Sequence, residues 1–200
     1  MTITGHTEYK KYTAQQCRNF AEIFTPFLTE SKFTHVLEIG TAGGGFTSFL
    51  RDALPEAKIL SFDVYYQPWY EKIRANNIDI QIRNIFNDDI KIWSNVAKVV
   101  DPQAIDFLKE SGKKLILCDG GNKIGEFNCL SNYMNVGDFI MAHDYAYSYD
   151  YFKEHVKDKF WNWCEIEEKY IEKSSKLNNL EHYNKDAFQS IVWVCKTKVK

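Results

Sequence analysis

Three side chains able to bind a metal or move a proton stand at the ends of two apolar runs. Asp119 closes residues 114–119, and His143-Asp144 close residues 138–144. If the runs are neighbouring parallel strands, their C-terminal ends lie about 5 Å apart, so two carboxylates and an imidazole converge. Such a set can ligate Mg²⁺, Mn²⁺ or a related divalent ion. The ion would bind a substrate hydroxyl and lower its pKa. Without an ion, His143 is a candidate general base, and Lys123 is a second, since a buried lysine can be neutral at working pH. A plainer alternative stays open at this stage. Asp119 caps the next helix, His143-Asp144 are loop residues, and Lys123 is solvated.

A second group of residues is suited to holding a nucleotide. Glu38-Ile-Gly40-Thr-Ala-Gly43-Gly44-Gly45-Phe-Thr47 follows a short apolar run and opens a helical pattern. Glycines allow a sharp strand-to-helix turn and a close ligand approach. The unpaired amides of the helix start can face an anion. Asp63 ends the next apolar run, placed to accept both hydroxyls of a ribose. The dinucleotide fingerprint Gly-x-Gly-x-x-Gly is absent, because position 42 is Ala and no other frame of the loop restores it.

The form Glu-x-Gly-x-x-x-Gly, with its acid two residues before the first glycine, resembles motif I of class I S-adenosylmethionine-dependent methyltransferases. The resemblance runs from Gln15 to the C-terminal strands. Within that superfamily the turn is similar to those of cephalosporin-hydroxylase-like proteins and macrocin-type sugar O-methyltransferases, with Phe46 where that branch has Ser. The resemblance implies S-adenosyl-L-methionine as cofactor, contacted by Gly40, Thr41, Gly44 and Asp63, with Glu38, Gly43 and Asp119 completing the cofactor site. It also implies a sheet of order 3-2-1-4-5-7-6. Metal-dependent relatives carry an Asp after strand four and an acid pair after strand five. Asp119 and Asp144 match, while His143 stands where a carboxylate is usual, and Asn122 stands where the macrocin-type enzymes keep a His base. The expected activity is O-methylation of a small-molecule hydroxyl, a sugar or glycan in particular, with a divalent metal as an optional aid. An NAD-linked oxidoreductase and a non-catalytic nucleotide-binding module are the alternatives.

The elements that must position these residues follow from periodicity. Apolar runs at 35–40, 58–63, 78–83, 114–119 and 138–144 predict five strands. Helices are expected at 46–54, 68–76, 124–134 and 150–160. Another is expected through the stretch before Gly112, with Asp101-Pro102 as N-cap and N1. Thr13-Ala-Gln-Gln16 has the form of a capping box, and Cys17, Phe20, Ala21, Phe24 and Leu28 form the stripe of a first helix that Pro26 kinks or ends. Residues 161–168 and 188–196 are expected to be a terminal antiparallel pair, joined by a polar segment (172–186) without a helical stripe. The sum is an α/β, Rossmann-like, doubly wound sheet of seven strands, mostly parallel, covered on both faces. One domain over 1–200 is expected, with an N-terminal helical segment over about 1–32.

Composition narrows the class of protein. A formal net charge of −2, with acids and bases interspersed, argues against a nucleic-acid or membrane-surface footprint. Five scattered cysteines without a Cys-x-x-Cys pair point to a reducing, cytoplasmic setting, with Cys118 and Cys195 buried. No signal-peptide core or membrane-length apolar run is present. Glu165, Glu167 and Glu168 are expected on a solvated strand face, Lys196, Lys198 and Lys200 in a solvated tail, and His6, His35, His155 and His182 at the surface or in caps. Tyr145, Tyr147, Tyr149 and Tyr151, with Tyr65, Tyr66 and Trp69, are candidates to stack on a small hydroxylated substrate or to shield the adenine, or simply to pack under their loops.

Overall fold

In a computed structural model, residues 7–87 and 98–200 are described. The expectations for His6 and for the helical stretch across 88–97 lie outside the described residues. A small hairpin, β1 (Glu8–Tyr9) and β2 (Tyr12–Thr13), precedes helix α1 (Phe20–Ser31). Then come β3 (His35–Ile39), α2 (Gly45–Ala53), β4 (Lys58–Asp63), α3 (Tyr70–Arg74), β5 (Asp79–Ile82), α4 (Pro102–Lys109), β6 (Lys114–Cys118), α5 (Lys123–Leu130) and β7 (Phe139–Ala142). The last quarter holds β8 (Tyr145–Ala146), the short turn α6 (Tyr149–Tyr151), β9 (Ile166–Glu167), α7 (Glu168–Leu177), β10 (Leu180–His182), α8 (Lys185–Gln189) and β11 (Val194–Lys198).

Seven strands form the main sheet in the order β5-β4-β3-β6-β7-β11-β10. Counted along the chain within the sheet, that is 3-2-1-4-5-7-6, and β11 alone runs against its neighbours. The central strands β3 and β6 are buried at every residue. They read as continuous apolar runs because helices cover both faces. Alternate side chains serve opposite cores. Val36, Ile59, Leu115 and Leu117 pack with Phe20 and Phe24 of α1 and Phe46 and Phe49 of α2. Leu37, Leu60, Ile116 and Cys118 pack with Ala104 and Phe107 of α4 and Ile124 and Phe127 of α5. Both faces of one strand end therefore carry well-anchored helices, which fixes where the turns at the C-terminal edge project.

Three expectations are corrected. The first helix begins at Phe20, not beside Thr13, and its N-cap Asn19 makes no side-chain cap bond. Thr13 instead pairs with Glu8 in the hairpin, so packing has overridden a local cap pattern. Pro26 does not end α1, which continues to Ser31. The buried Phe24, Phe27 and Leu28 around it offset the lost backbone bond.

The third correction concerns the C-terminus. Of residues 161–168 only Ile166 and Glu167 are extended, and they pair with β8 outside the main sheet. The sixth strand is β10, inside the polar segment expected only to join the two strands, and helix α7 precedes it. The face α7 buries is Ile171, Ser174 and Ser175, at helical spacing but largely polar, so no apolar stripe announces it. Residues 188 and 189 belong to α8, and the last strand starts at Val194. The helix expected at 150–160 is the short α6 followed by a π-turn, Phe152–Val156. Lys196 is not in a solvated tail. It is buried, with its ammonium 2.6 Å from Glu168 and 3.0 Å from the Ser175 hydroxyl. Glu168 thus leaves the solvated face as well, and its pKa falls to about 2; burial opposes this, and the bonds from His182 and Lys196 outweigh it.

Candidate functional site

The glycine-rich turn leaves β3 through Gly40, whose φ is +96°. A Cβ there would collide with the carbonyl oxygen of Asp119, so the ends of β3 and β6 approach as only glycine allows. Gly43 has a different task. It lies beneath the N-terminal hairpin, where a side chain would strike the Thr13 carbonyl. Gly44 is the N-cap of α2 and packs against Ile73.

Asp63, at the end of β4, braces this turn. Its Oδ2 accepts from the Ala42 amide at 2.7 Å and its Oδ1 from the Tyr65 amide at 2.9 Å. The Tyr70 hydroxyl is 3.3 Å from Oδ2. A carboxylate has about four lone-pair sites, so capacity remains for a ribose hydroxyl. Beside it opens a cavity of about 360 Å³ lined by Gly40, Ala42, Asp63, Tyr65, Phe86 and Asp119, among others.

The structure divides the expected cofactor residues into two groups. Gly40, Asp63 and Asp119 line this cavity, whereas Glu38, Thr41, Gly43 and Gly44 do not. Glu38 is buried, and its Oε2 accepts from Thr47 Oγ1 at 2.7 Å and Ser61 Oγ at 2.5 Å. Burial pushes its pKa up to about 7 against the pull of those two hydroxyls, with Asp119 and Asp63 adding to the rise. The Thr41 hydroxyl is 2.6 Å from Ser61 Oγ. Glu38 and Thr41 hold the turn from behind.

A second cavity, about 300 Å³, lies on the other side of Asp119 and is lined by Lys123, His143, Asp144, Trp161 and Glu165, among others. Neighbouring β6 and β7 bring Asp119 and His143-Asp144 together, as their places at the strand ends require. Asp144 takes a left-handed turn, φ +56°, which swings its carboxylate back toward Asp119. His143 Nδ1 is 3.1 Å from Asp119 Oδ1, and because a carboxylate only accepts, this nitrogen carries the proton. The ring stacks on Trp193 at 4.8 Å and lies 5.0 Å from the Trp161 ring. Its Nε2 is buried without a partner among the described residues. Burial works against the charged imidazole, but Asp119 and Asp144 outweigh it and raise its pKa.

Lys123 differs from expectation. It is neither solvated nor neutral. Only 6 % of its side chain is exposed, and its ammonium lies 2.8 Å from Glu165, 3.0 Å from Asp144 and 3.6 Å from Asp119. It also donates to the Gly120 carbonyl at 3.0 Å. Burial favours the neutral amine, yet the three carboxylates together reverse that, and its pKa stands above the ordinary lysine value. A charged Lys123 has no lone pair with which to take a substrate proton, which argues against the general-base role expected of it.

The ligand atoms of Asp119, His143 and Asp144 lie within 4.8 Å of one another, close enough for a metal ion. Both oxygens of Asp144 already have partners. Asp144 Oδ1 accepts from Trp161 Nε1 at 2.6 Å, and its Oδ2 faces Lys123. A divalent ion about 4 Å from an ammonium is repelled by about 8 kcal/mol at an effective dielectric of 20. Lys123 stands against the same oxygens that an ion at this cluster would use.

Four participants escaped sequence reasoning. Gln16 is fully buried and bridges Asp119 Oδ2 (3.3 Å) and Trp193 Nε1 (2.8 Å). Glu165, expected on a solvated strand, pairs with Lys123. Trp161 and Trp193 enclose His143. Only the density of tryptophan between 161 and 193 hinted at them. The aromatic loops divide. Tyr65 lines the first cavity, Trp69 Nε1 donates to the Gly43 carbonyl, and Tyr145 is buried with its hydroxyl on Glu168. Tyr147 and Tyr149 are exposed and line neither cavity.

Comparison with known proteins agrees with this architecture. No curated protein matches the sequence. Among solved structures, the apo-structure of CmcI superposes with a TM-score of 0.64 at 12 % identity, covering 97 % of this chain and 76 % of that one. A Mg–SAM form of CmcI gives 0.61 at 13 % identity, covering 96 % and 76 %. NcsB1, an O-methyltransferase from neocarzinostatin biosynthesis in complex with S-adenosyl-L-homocysteine and 1,4-dihydroxy-2-naphthoic acid, gives 0.53 at 10 % identity, covering 91 % and 55 %. At such identities the likeness is one of fold. A sequence-family model, FtsJ-like methyltransferase, matches residues 16–182, from the buried Gln16 to the end of β10. Most of the chain lies within that match, and the chain belongs to the FtsJ-like methyltransferase family.

Proposed function

We propose that this S-adenosylmethionine-dependent methyltransferase acts on a hydroxyl of a small molecule, a sugar or glycan hydroxyl in particular. The observation that carries the reading is the pair of cavities meeting at Asp119. One lies at the glycine turn and Asp63, and the other is walled by an imidazole, carboxylates and tryptophan. The first cavity would hold the donor, with Asp63 accepting from its ribose hydroxyls. The acceptor occupies the second, where the exposed Trp163 offers a face to a ring and Glu165 offers oxygens to hydroxyls.

The sulfonium is already activated, so the protein contributes alignment, proton removal and exclusion of water. Asp119 fixes the proton of His143 on Nδ1 and leaves the lone pair on Nε2. The acceptor O–H gives its proton to Nε2 as its oxygen attacks the methyl carbon. The S–CH₃ bond breaks and S-adenosylhomocysteine leaves. The finer expectation of Mg²⁺ or Mn²⁺ at Asp119, His143 and Asp144 rests on donor types and spacing. No step is routed through an ion, because Lys123 faces the same oxygens.

We also assign residues 1–200 to one domain and the protein to a reducing, cytoplasmic setting. The five free cysteines support that setting. Among the described residues no helix is long and apolar enough to cross a membrane. The test uses methyl-labelled S-adenosylmethionine with panels of sugars, phenols, RNA and protein, the products being identified by mass spectrometry. The expected product is a methyl ether of a small molecule, lost in His143→Ala although that variant still binds the donor. Label found only on RNA, protein or a nitrogen atom refutes the reading.

A further inference from the structure

We propose that the Lys123 ammonium is the resident cation of the acceptor site, standing where a divalent ion would otherwise gather Asp119 and Asp144, so that methyl transfer needs no metal. The argument is geometric. Lys123 is the first residue of α5, which the Asn122 side chain caps by accepting from the Gly125 amide. That start directs the lysine side chain back across the end of β6 rather than out to solvent. Its three N–H bonds are directed at the Gly120 carbonyl, Asp144 Oδ2 and Glu165 Oε2, and Asp119 Oδ1 lies 3.6 Å away. Three carboxylates around one buried point need a positive charge. The lysine supplies it from within the chain.

The arrangement also assigns a division of labour among the acids. Asp119 and Asp144 are held on their other sides by Gln16 and Trp161, so their positions are fixed. Glu165 has no other side-chain partner among the described hydrogen bonds, and 46 % of its side chain is exposed. It is the exchangeable partner. An entering acceptor hydroxyl can displace Glu165 from Lys123 and take over that N–H, while the two fixed aspartates stay in place. Lys123 is thus a positioning residue for the aspartates and, once the acceptor is bound, the positive charge nearest its oxygen.

The inference rests on the acceptor-site reading above. Its test is separable, because ion binding is measured with neither donor nor acceptor present. Mn²⁺ binding to the purified protein is followed by electron paramagnetic resonance and by titration calorimetry. The wild type should bind no Mn²⁺ at ion concentrations up to millimolar, and its methyl transfer should be unchanged in excess chelator. Lys123→Met empties the point between the carboxylates and should gain at least tenfold in Mn²⁺ affinity. Lys123→Arg, which keeps a cation there, should gain none. Transfer by Lys123→Met should fall at least tenfold and recover partly when Mn²⁺ is added. Stoichiometric micromolar Mn²⁺ binding by the wild type overturns the proposal without any variant. So does a folded Lys123→Met that binds Mn²⁺ no better than the wild type.

Discussion

Replacing Glu38 with Gln separates bracing of the turn from contact with the cofactor. The native carboxyl is buried, bonded to Thr47 and Ser61, and raised from 4.5 to about 7. Between those two pH values the folded protein holds a proton at Glu38 that the unfolded chain has released. Stability therefore falls as pH rises through the window and levels off above it. At about 1.4 kcal/mol for each pH unit, the rise corresponds to about 3 kcal/mol between acid and neutral solution. Gln cannot ionise, while its amide oxygen can still accept both hydroxyls. Thermal unfolding of Glu38→Gln followed from pH 5 to pH 8 should show a shallower loss of stability than the wild type. At 2–4 °C for each kcal/mol, the difference in Tm drift is on the order of 5–10 °C. Glu126, also buried and raised to about 7, leaves a residual slope of the same sign. Because Glu38 lines neither cavity, S-adenosylmethionine affinity by calorimetry should change less than about threefold, under about 0.7 kcal/mol. A tenfold loss of affinity with an unchanged pH profile would mean that an ionised Glu38 touches the cofactor, and the reasoning would fail.

Two other substitutions probe the same edge of the sheet. Asp63→Ala removes a charged acceptor for the ribose and frees the Ala42 and Tyr65 amides, so donor affinity should fall about 10- to 100-fold, at about 1.5–3 kcal/mol for a charge-assisted bond; calorimetry giving less than threefold places the ribose elsewhere. Gly40→Ala introduces a Cβ against the Asp119 carbonyl at positive φ and should cost more than about 2 kcal/mol in urea unfolding, whereas Gly121→Ala, facing open space, should cost under about 0.5 kcal/mol. Equal effects at the two positions would show that the close approach of β3 to β6 does not constrain the turn.

The difference between what was legible and what was not follows from what each segment buries. The five parallel strands were legible because burial on both faces leaves unbroken apolar runs bounded by turn residues. Asp63, Asp119 and His143-Asp144 were legible because strand ends in such sheets must meet at one edge. Helix α7 was not, since it presents two serines to the core and its stripe vanishes from the hydropathy pattern. Trp161, Asn162 and Trp163 alternate aromatic and polar side chains as a strand does, yet residues 161–165 form a loop that closes over His143 and Lys123. The charge state of Lys123 was beyond local reading altogether. Glu165, 42 residues further along, supplies one of the three carboxylates, and a buried lysine with fewer partners would lose its proton.

The same logic explains why a capping-box pattern at Thr13 does not become a helix start. Residues 12–14 lie flat over Gly43 and Gly45, where only glycine leaves room for their backbone. That placement carries the chain directly to Gln16, which ties Asp119 to Trp193. One short segment thus covers the donor turn and anchors the acid shared by both cavities. Asp119 in turn fixes the tautomer of His143. The placement of the two cavities about Asp119 is then set by contiguous packing. In-line transfer depends on such alignment to within an ångström or less. A helix starting at Thr13 would satisfy the local pattern and lose the register between the two cavities.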